Sequence, residues 1–130
     1  MAFEQTLQTI SVQVSQSFAS LQFTFCQINS SGQLAPPSGA GVLCDGVIQD
    51  DNPNTSSPVT SELGITGISK VVTGAAVNQG DLVMTDSSGR AVTVTGANHI
   101  LGRALQGNSS TAGVIIPVLL FKGGHASSGA

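Results

Sequence analysis

The stretch Gly64–Val94, GITGISKVVTGAAVNQGDLVMTDSSGRAVTV, decides the fold that the rest of the chain is expected to adopt. It contains a run of mostly β-branched residues, Ile68–Val72, and after a Gly-Ala step it reaches a second run of apolar and β-branched residues, Leu82–Thr85. The next four residues, Asp86–Gly89, have the composition of a tight turn, because Asp accepts hydrogen bonds from the backbone that follows it and Gly tolerates a positive φ. The stretch therefore predicts a strand followed by a β-hairpin, with Arg90–Val94 as the returning strand.

A second turn of the same kind, Asn29–Gly32, lies 57 residues earlier. Similar residues continue to align at this offset without a gap, which predicts an internal repeat. Its two halves would be residues 22–64 and 79–121, joined by a connector over residues 65–78. Short strands with frequent turn signals, and no helix signal in the body, predict an all-β fold, a small β-barrel or sandwich built from the two halves.

The first twenty residues lie outside that repeat. Ile10, Val12 and Val14 alternate with polar residues, and this period of two favours an extended strand over the competing helix. Three segments are therefore expected: an extended N-terminal arm, a β domain and a flexible C-terminal tail, over residues 1–20, 21–122 and 123–130.

The longest apolar run, Gly113–Phe121, is about half as long as a membrane-spanning helix must be. The N-terminus has no basic residue ahead of an apolar core, so it does not have the pattern of a signal peptide. No membrane partner is therefore expected. Pro117 interrupts the apolar run, and because proline lacks a backbone donor, this strand is expected at a sheet edge or with a bulge.

Charged residues make up only 8% of the chain, far below the roughly 25% of ordinary globular proteins. The formal net charge is −3, and the four basic residues are scattered along the chain: Lys70, Arg90, Arg103 and Lys122. Because binding to nucleic acid requires clustered Lys and Arg, nucleic acid is not an expected partner.

The two cysteines, Cys26 and Cys44, are too few for the disulfide framework of a small secreted domain. Synthesis in a cytoplasm is therefore expected. At the 57-residue offset they align with Val83 and Leu101, which predicts buried free thiols that act as small hydrophobic side chains.

Residues with catalytic potential are few. His99 and His125 have no carboxylate at a useful spacing, and Asp50 and Asp51 point apart if their loop is extended, which favours a turn over a metal or acid/base pair. A closed zinc site needs four ligands, and only the two histidines could complete one with the two cysteines. Neither an enzyme nor a cofactor is expected.

Four short sequences carry a family resemblance. They are Gly-Ala-Ala-Val at 74–77, Gly-Asp-Leu-Val at 80–83, Thr-Asp-Ser-Ser-Gly-Arg-Ala-Val at 85–92 and Ile-Leu-Gly-Arg-Ala-Leu at 100–105. Over residues 64–121 the chain resembles the capsid cement, or head decoration, proteins of tailed bacteriophages. The resemblance implies a structural virion protein, made in the host cytoplasm, that binds the outer capsid surface and stabilises the lattice of the major capsid protein. It also implies a homotrimer whose N-terminal arms clamp neighbouring capsid subunits.

The residues expected to contact the capsid lie in the arm and in the polar loop after residue 49: Phe3, Leu7, Ile10, Val12, Val14, Asp50, Asp51 and Asn52. The residues expected to hold the two turns are Asn29, Gly32, Asp86 and Gly89. Because the body can complete both halves without the arm, deleting residues 2–18 is expected to weaken capsid binding and to leave the melting temperature nearly unchanged.

Two alternative functions remain open. One is a β-barrel binding module of a phage tail or fibre, or an accessory protein for host-surface glycans. The chain has no Trp or Tyr on which a sugar would stack, which counts against the glycan form. The other is a small enzyme that uses Asp50, Asp51 or His99.

Overall fold

The computed structural model describes residues 6–14, 16–51, 59–108 and 112–124. Over these ranges the chain forms strands and loops and no helix, which confirms the predicted all-β class. The nine strands are, in chain order, β1 Leu7–Gln13, β2 Phe25–Ile28, β3 Leu34–Ala35, β4 Gly46–Ile48, β5 Thr60–Val72, β6 Leu82–Thr85, β7 Ala91–Thr93, β8 Gly102–Ala104 and β9 Ile115–Leu120.

The strands form one curled, half-barrel sheet in which the paired strands are antiparallel. Its order is β3-β2-β4-β5-β9-β8-β6-β7, and β1 pairs with β5 outside this path. Two isolated parallel bridges link the end strands back to the same chain, Val14 to Leu34 of β3 and Thr73 to Ala91 of β7. These bridges leave less of each end strand open to pairing with another molecule.

The longest strand, β5, lies where the sequence predicted the connector between the halves. Its first part pairs with β1 and β4, and its second part, from Gly67 onward, pairs with β9. Leu63 and Val71, one in each part, are fully buried. Residues 65–72 of the predicted connector are therefore strand, because apolar side chains in both parts have a core to enter.

Two hydrophobic clusters make up the core. The larger cluster comprises Phe25, Cys44, Val47, Val71, Val77, Val83, Ala91, Leu101, Ala104, Ile116, Val118 and Leu120. The smaller cluster comprises Val12, Val14, Phe18, Cys26, Leu34, Ile48 and Leu63. The N-terminal residues thus contribute three side chains to the smaller cluster.

Within the predicted N-terminal arm, Leu7–Gln13 forms strand β1, which is part of the sheet and not a free segment. Strand β1 pairs along β5 from Leu7 opposite Gly67 to Gln13 opposite Thr60, with a bulge after Gln8. Val12 and Val14 are buried. An edge of β5 in the same chain is available without any cost of association, so the apolar stripe is buried within the molecule rather than on a partner.

The predicted C-terminal tail begins in contact with the body. Gly123 donates its N–H to the carbonyl of Ile100 at 2.9 Å, and Ile100 donates to the carbonyl of Gly124 at 2.8 Å. The remainder of the predicted tail, residues 125–130, lies outside the described residues.

Some of the strands are spaced at the 57-residue offset of the predicted repeat. Strands β2 and β6 begin 57 residues apart, as do β3 and β7. In the sheet order, β3-β2 occupies one end and β7-β6 the other. The division into two equivalent halves itself stays a prediction.

The two turns have the same pattern of hydrogen bonds. In the first, Asn29 Oδ1 accepts the N–H of Ser31 at 2.9 Å and of Gln33 at 3.0 Å. In the second, Asp86 Oδ1 accepts the N–H of Ser88 at 2.8 Å and of Arg90 at 2.9 Å. An Arg90–Asp86 ion pair at 3.1 Å is added in the second turn alone.

The turn glycines share a positive φ and differ in their surroundings. Gly32 has φ +75° and Gly89 has φ +85°, a region that L side chains rarely adopt. A Cβ at Gly32 would meet nothing within 4 Å, whereas a Cβ at Gly89 would lie 2.8 Å from the carbonyl oxygen of Phe25. Gly89 also accepts the N–H of Phe25 at 2.7 Å, so the second turn packs directly on β2.

We therefore expect Gly89→Ala to destabilise the chain more than Gly32→Ala. The positive φ alone costs about 1 kcal/mol in each variant, and the forced shift at Gly89 adds about 1–3 kcal/mol. Denaturant unfolding of the two variants beside the wild type measures the difference. Equal free energies of unfolding for the two variants would contradict the close packing of the second turn on β2.

Pro117 lies in an interior strand, not at the expected edge. Strand β9 pairs with β5 on one side and β8 on the other, and the β5 register runs without a shift through Lys70 opposite Pro117. The carbonyl of Pro117 accepts the N–H of Leu105, one residue beyond β8, at 2.9 Å. The N–H that proline lacks is therefore absent only where the pairing of β9 with β8 ends. For this reason proline is tolerated in this interior strand.

Candidate interaction surface

The residues considered for catalysis are engaged with the backbone. Asp50 Oδ2 accepts the N–H of Glu62 at 2.9 Å, and Asp51 Oδ1 accepts the N–H of Ser20 at 3.0 Å. The two neighbouring carboxylates therefore hold two different backbone segments that are distant in sequence. Among the residues that the structure describes, potential metal ligands do not occur in groups of three or more. His125 lies outside those residues.

Both thiols are buried and free, as predicted. Cys26 belongs to the smaller cluster and Cys44 to the larger one. Burial raises the pKa of each thiol to about 12, because the thiolate would lose its hydration. Since the thiolate is the nucleophilic form, neither side chain has the character of a reactive cysteine at neutral pH.

The predicted capsid-contact residues do not form one surface. Val12 and Val14 are core residues and cannot touch a partner in the folded chain. Leu7 is half-buried against the larger cluster, while Ile10 is 39% exposed. Phe3 and Asn52 lie outside the described residues.

A different apolar surface lies on the outer side of the sheet. Along β9, Ile116, Val118 and Leu120 point into the core, so the alternate side chains point outward. Residues directly opposite each other on neighbouring strands share a face. We call the following set the β9 face: Ile115, Pro117 and Leu119 on β9 and their β5 partners Val72, Lys70 and Ile68.

The β9 face is apolar and open to solvent. Ile115 is 50% exposed and Leu119 is 39% exposed, whereas Ile68, Val72 and Pro117 are half-buried. Because these side chains stay accessible in the folded chain, no described part of the chain covers the β9 face. Apolar side chains that are grouped and exposed in this way mark an interaction site.

Two cations border the apolar side chains. Lys70 belongs to the face on β5, and Arg103 lies opposite Leu119 on β8. Both are exposed, and neither forms an ion pair with a carboxylate among the residues that the structure describes. Arg103 Nε donates to the carbonyl of Gly80 at 2.9 Å, which holds the guanidinium at the side of the face.

A groove continues the β9 face toward the start of β1. It has a volume of about 310 Å³ and is lined by Leu7, Phe23, Gln49, Ile68, Ser69 and Lys70. Lys70 Nζ lies 5.8 Å from the centre of the Phe23 ring, a cation–π distance. The face therefore presents apolar and cationic groups side by side.

The sequence contained a signal for this surface. The run Gly113–Phe121 carries apolar residues at both inward and outward positions, whereas a strand with one solvated face alternates apolar with polar residues. No helix in the described ranges has the length and apolar character needed to cross a bilayer.

Comparison with known proteins gave one match. A family model described as phage cement protein matches residues 26–120, which include β2 to β9. No curated protein and no solved structure matches the chain.

Proposed function

The chain belongs to the phage cement protein family, and from this membership we propose that it binds the outer surface of a phage capsid and stabilises the lattice of the major capsid protein. The observation that carries the proposal is the match over residues 26–120, nearly the whole of the described sheet. The family is one of structural phage proteins, so association with the capsid follows from membership.

Cementing requires binding and no chemical step. A protein that binds the assembled lattice more tightly than the separate subunits shifts the equilibrium toward the assembled shell. Such binding needs a stable domain with an exposed apolar surface. The β9 face supports the proposal because burying it on a partner removes apolar area from water.

The partners in the proposal are the major capsid protein and other copies of the chain, as a homotrimer. A surface so poor in charge offers little electrostatic repulsion between copies, which supports self-association. Of the contact residues predicted from the sequence, Leu7, Ile10, Asp50 and Asp51 stay in the proposal as solvent-accessible positions, and Phe3 and Asn52 stay as sequence predictions. Val12 and Val14 are withdrawn because they are buried.

The test uses expanded capsids of the phage that encodes the chain, purified from a mutant that lacks it. We expect the added chain to co-sediment with these capsids, to saturate at a fixed number of copies, and to raise the temperature at which they release DNA. A chain that stays in the supernatant would contradict the proposal. A chain that instead binds tail fibres or a host-surface glycan would assign it to the alternative binding module.

A further inference from the structure

The distribution of the basic residues contrasts with the net charge of the chain. Seven acidic residues outnumber four basic ones, yet Lys70 and Arg103 border the same apolar surface. Arg90 is engaged with Asp86 elsewhere. No carboxylate belongs to the β9 face itself. Asp81 follows Gly80 beside Arg103, and its Oδ2 accepts the N–H of Asn78 at 3.0 Å and the hydroxyl of Thr93 at 2.9 Å.

We propose that the β9 face is the surface that docks on the capsid, and that its partner is an apolar patch of the major capsid protein bordered by carboxylates. This inference rests on the function proposed above and names the surface and its chemistry. It departs from the contact residues predicted in the arm and in the loop after residue 49.

Ile115 and Leu119 are exposed in the middle of a paired sheet. No described part of the chain covers their side chains, and a partner that covers them removes aliphatic surface from water. The adjoining groove beside Phe23 extends the area that such a partner can fill.

The positions of the two cations define the partner's charge. Lys70 and Arg103 lie on the strands at either side of β9, which a strand spacing of about 4.8 Å places about 10 Å apart, and they are offset by two residues, about 7 Å, along β9. Carboxylates at opposite sides of an apolar patch on the partner would pair with both cations while the apolar side chains between them lose contact with water.

A second copy of the chain fits this face poorly in a symmetric contact. An isologous contact places the same patch on both sides. Two β9 faces would then bring Lys70 and Arg103 of each copy together with no carboxylate in either face. The charge pattern therefore counts against a symmetric contact between two copies. A homotrimer instead joins two different patches of each copy, and the mass in solution of a variant changed on the β9 face tests whether the face is one of them.

The experiment compares matched variants in the capsid co-sedimentation assay. Leu119→Asp changes the face, and Leu43→Asp is its control, because the two leucines are 39% and 41% exposed and only Leu119 lies on the face. Ile115→Ser is a second, milder change on the face. Lys70→Gln and Lys122→Gln each remove one positive charge, the first on the face and the second after β9. A melting curve of each variant verifies that it is folded.

We expect Leu119→Asp to raise the dissociation constant about tenfold or more, and Leu43→Asp to change it less than about threefold. Ile115→Ser should weaken binding in the same direction. Lys70→Gln should weaken binding at low salt and reduce its dependence on salt concentration, whereas Lys122→Gln should do so less.

Each outcome decides the inference. If the wild type binds capsids and Leu119→Asp binds as well as Leu43→Asp, the β9 face is not the docking surface. The cement function would still stand. If Leu119→Asp binds capsids normally but has a different oligomeric mass in solution from the wild type, the face joins copies of the chain. That result would also overturn the inference. Wild type that fails to bind would overturn both the function and the inference.

Discussion

Deleting residues 2–18 is expected to abolish the cooperative unfolding transition of the chain. The deletion removes β1 and with it Val12, Val14 and Phe18, all buried in the smaller cluster. Burial of each such side chain contributes about 1.5–3 kcal/mol. Their sum is comparable to the whole free energy of unfolding of an ordinary domain, about 5–15 kcal/mol. This expectation reverses the one drawn from the sequence, which treated the segment as dispensable for the fold.

Two point variants separate the packing effect from the deletion. Phe18 is fully buried, so Phe18→Ala should cost about 3–5 kcal/mol. Ile10, also within the deleted segment, is 39% exposed, and Ile10→Ala should cost less than about 1 kcal/mol. Thermal and urea unfolding followed by circular dichroism measures all three proteins. A truncated chain that melts like the wild type would show that β1 is a detachable arm after all.

The second large effect is expected at Thr73, whose hydroxyl lies fully buried just after β5. Its Oγ1 donates to the carbonyl of Val114 at 2.9 Å and accepts the Nδ2 of Asn108 at 3.0 Å and the N–H of Val114 at 3.2 Å. Thr73→Val keeps the shape and removes all three contacts, while the Val114 carbonyl keeps the N–H of Thr73 at 2.9 Å and Asn108 Nδ2 keeps a longer bond to the carbonyl of Ala75 at 3.4 Å. We expect a loss of about 2–4 kcal/mol, since each of the three hydrogen bonds removed contributes about 0.5–1.5 kcal/mol.

Thr73→Ser is the matched control, because it keeps the hydroxyl and removes only a methyl group. It should cost about 1 kcal/mol. Equal losses for the two variants, measured by urea unfolding, would mean that packing and not the hydrogen bonds holds this site. The site matters for the proposed interaction because Val114 leads directly into Ile115, the most exposed apolar side chain of the β9 face.

The position of the β9 face in the sheet suits the docking role proposed for it. β9 pairs with β5 and β8, and its inward residues Ile116, Val118 and Leu120 belong to the larger cluster. Outward side chains on such a strand are held by backbone bonds on both sides and by packing beneath. A rigid apolar surface loses little conformational entropy on docking, so more of its burial contributes to affinity.

Local chemistry determined much of this protein from its sequence alone. The turns at Asn29–Gly32 and Asp86–Gly89 follow from side chains that bond the backbone two and four residues on, together with a glycine at positive φ. Strand β6 has the predicted bounds, Leu82–Thr85, because its β-branched and apolar residues lie between two turn signals. The two buried thiols followed from their alignment with apolar positions.

Only the tertiary structure decided where the outward and edge positions lie. Ile10, Val12 and Val14 form one stripe in the sequence, and pairing of β1 with β5 buries two of them and leaves the first exposed. Pro117 is tolerated in an interior strand because β8 ends beside it. Alternation tells which side chains share a face, but which face meets the core depends on strands distant in sequence, so the β9 face became visible only when β5, β9 and β8 were placed side by side.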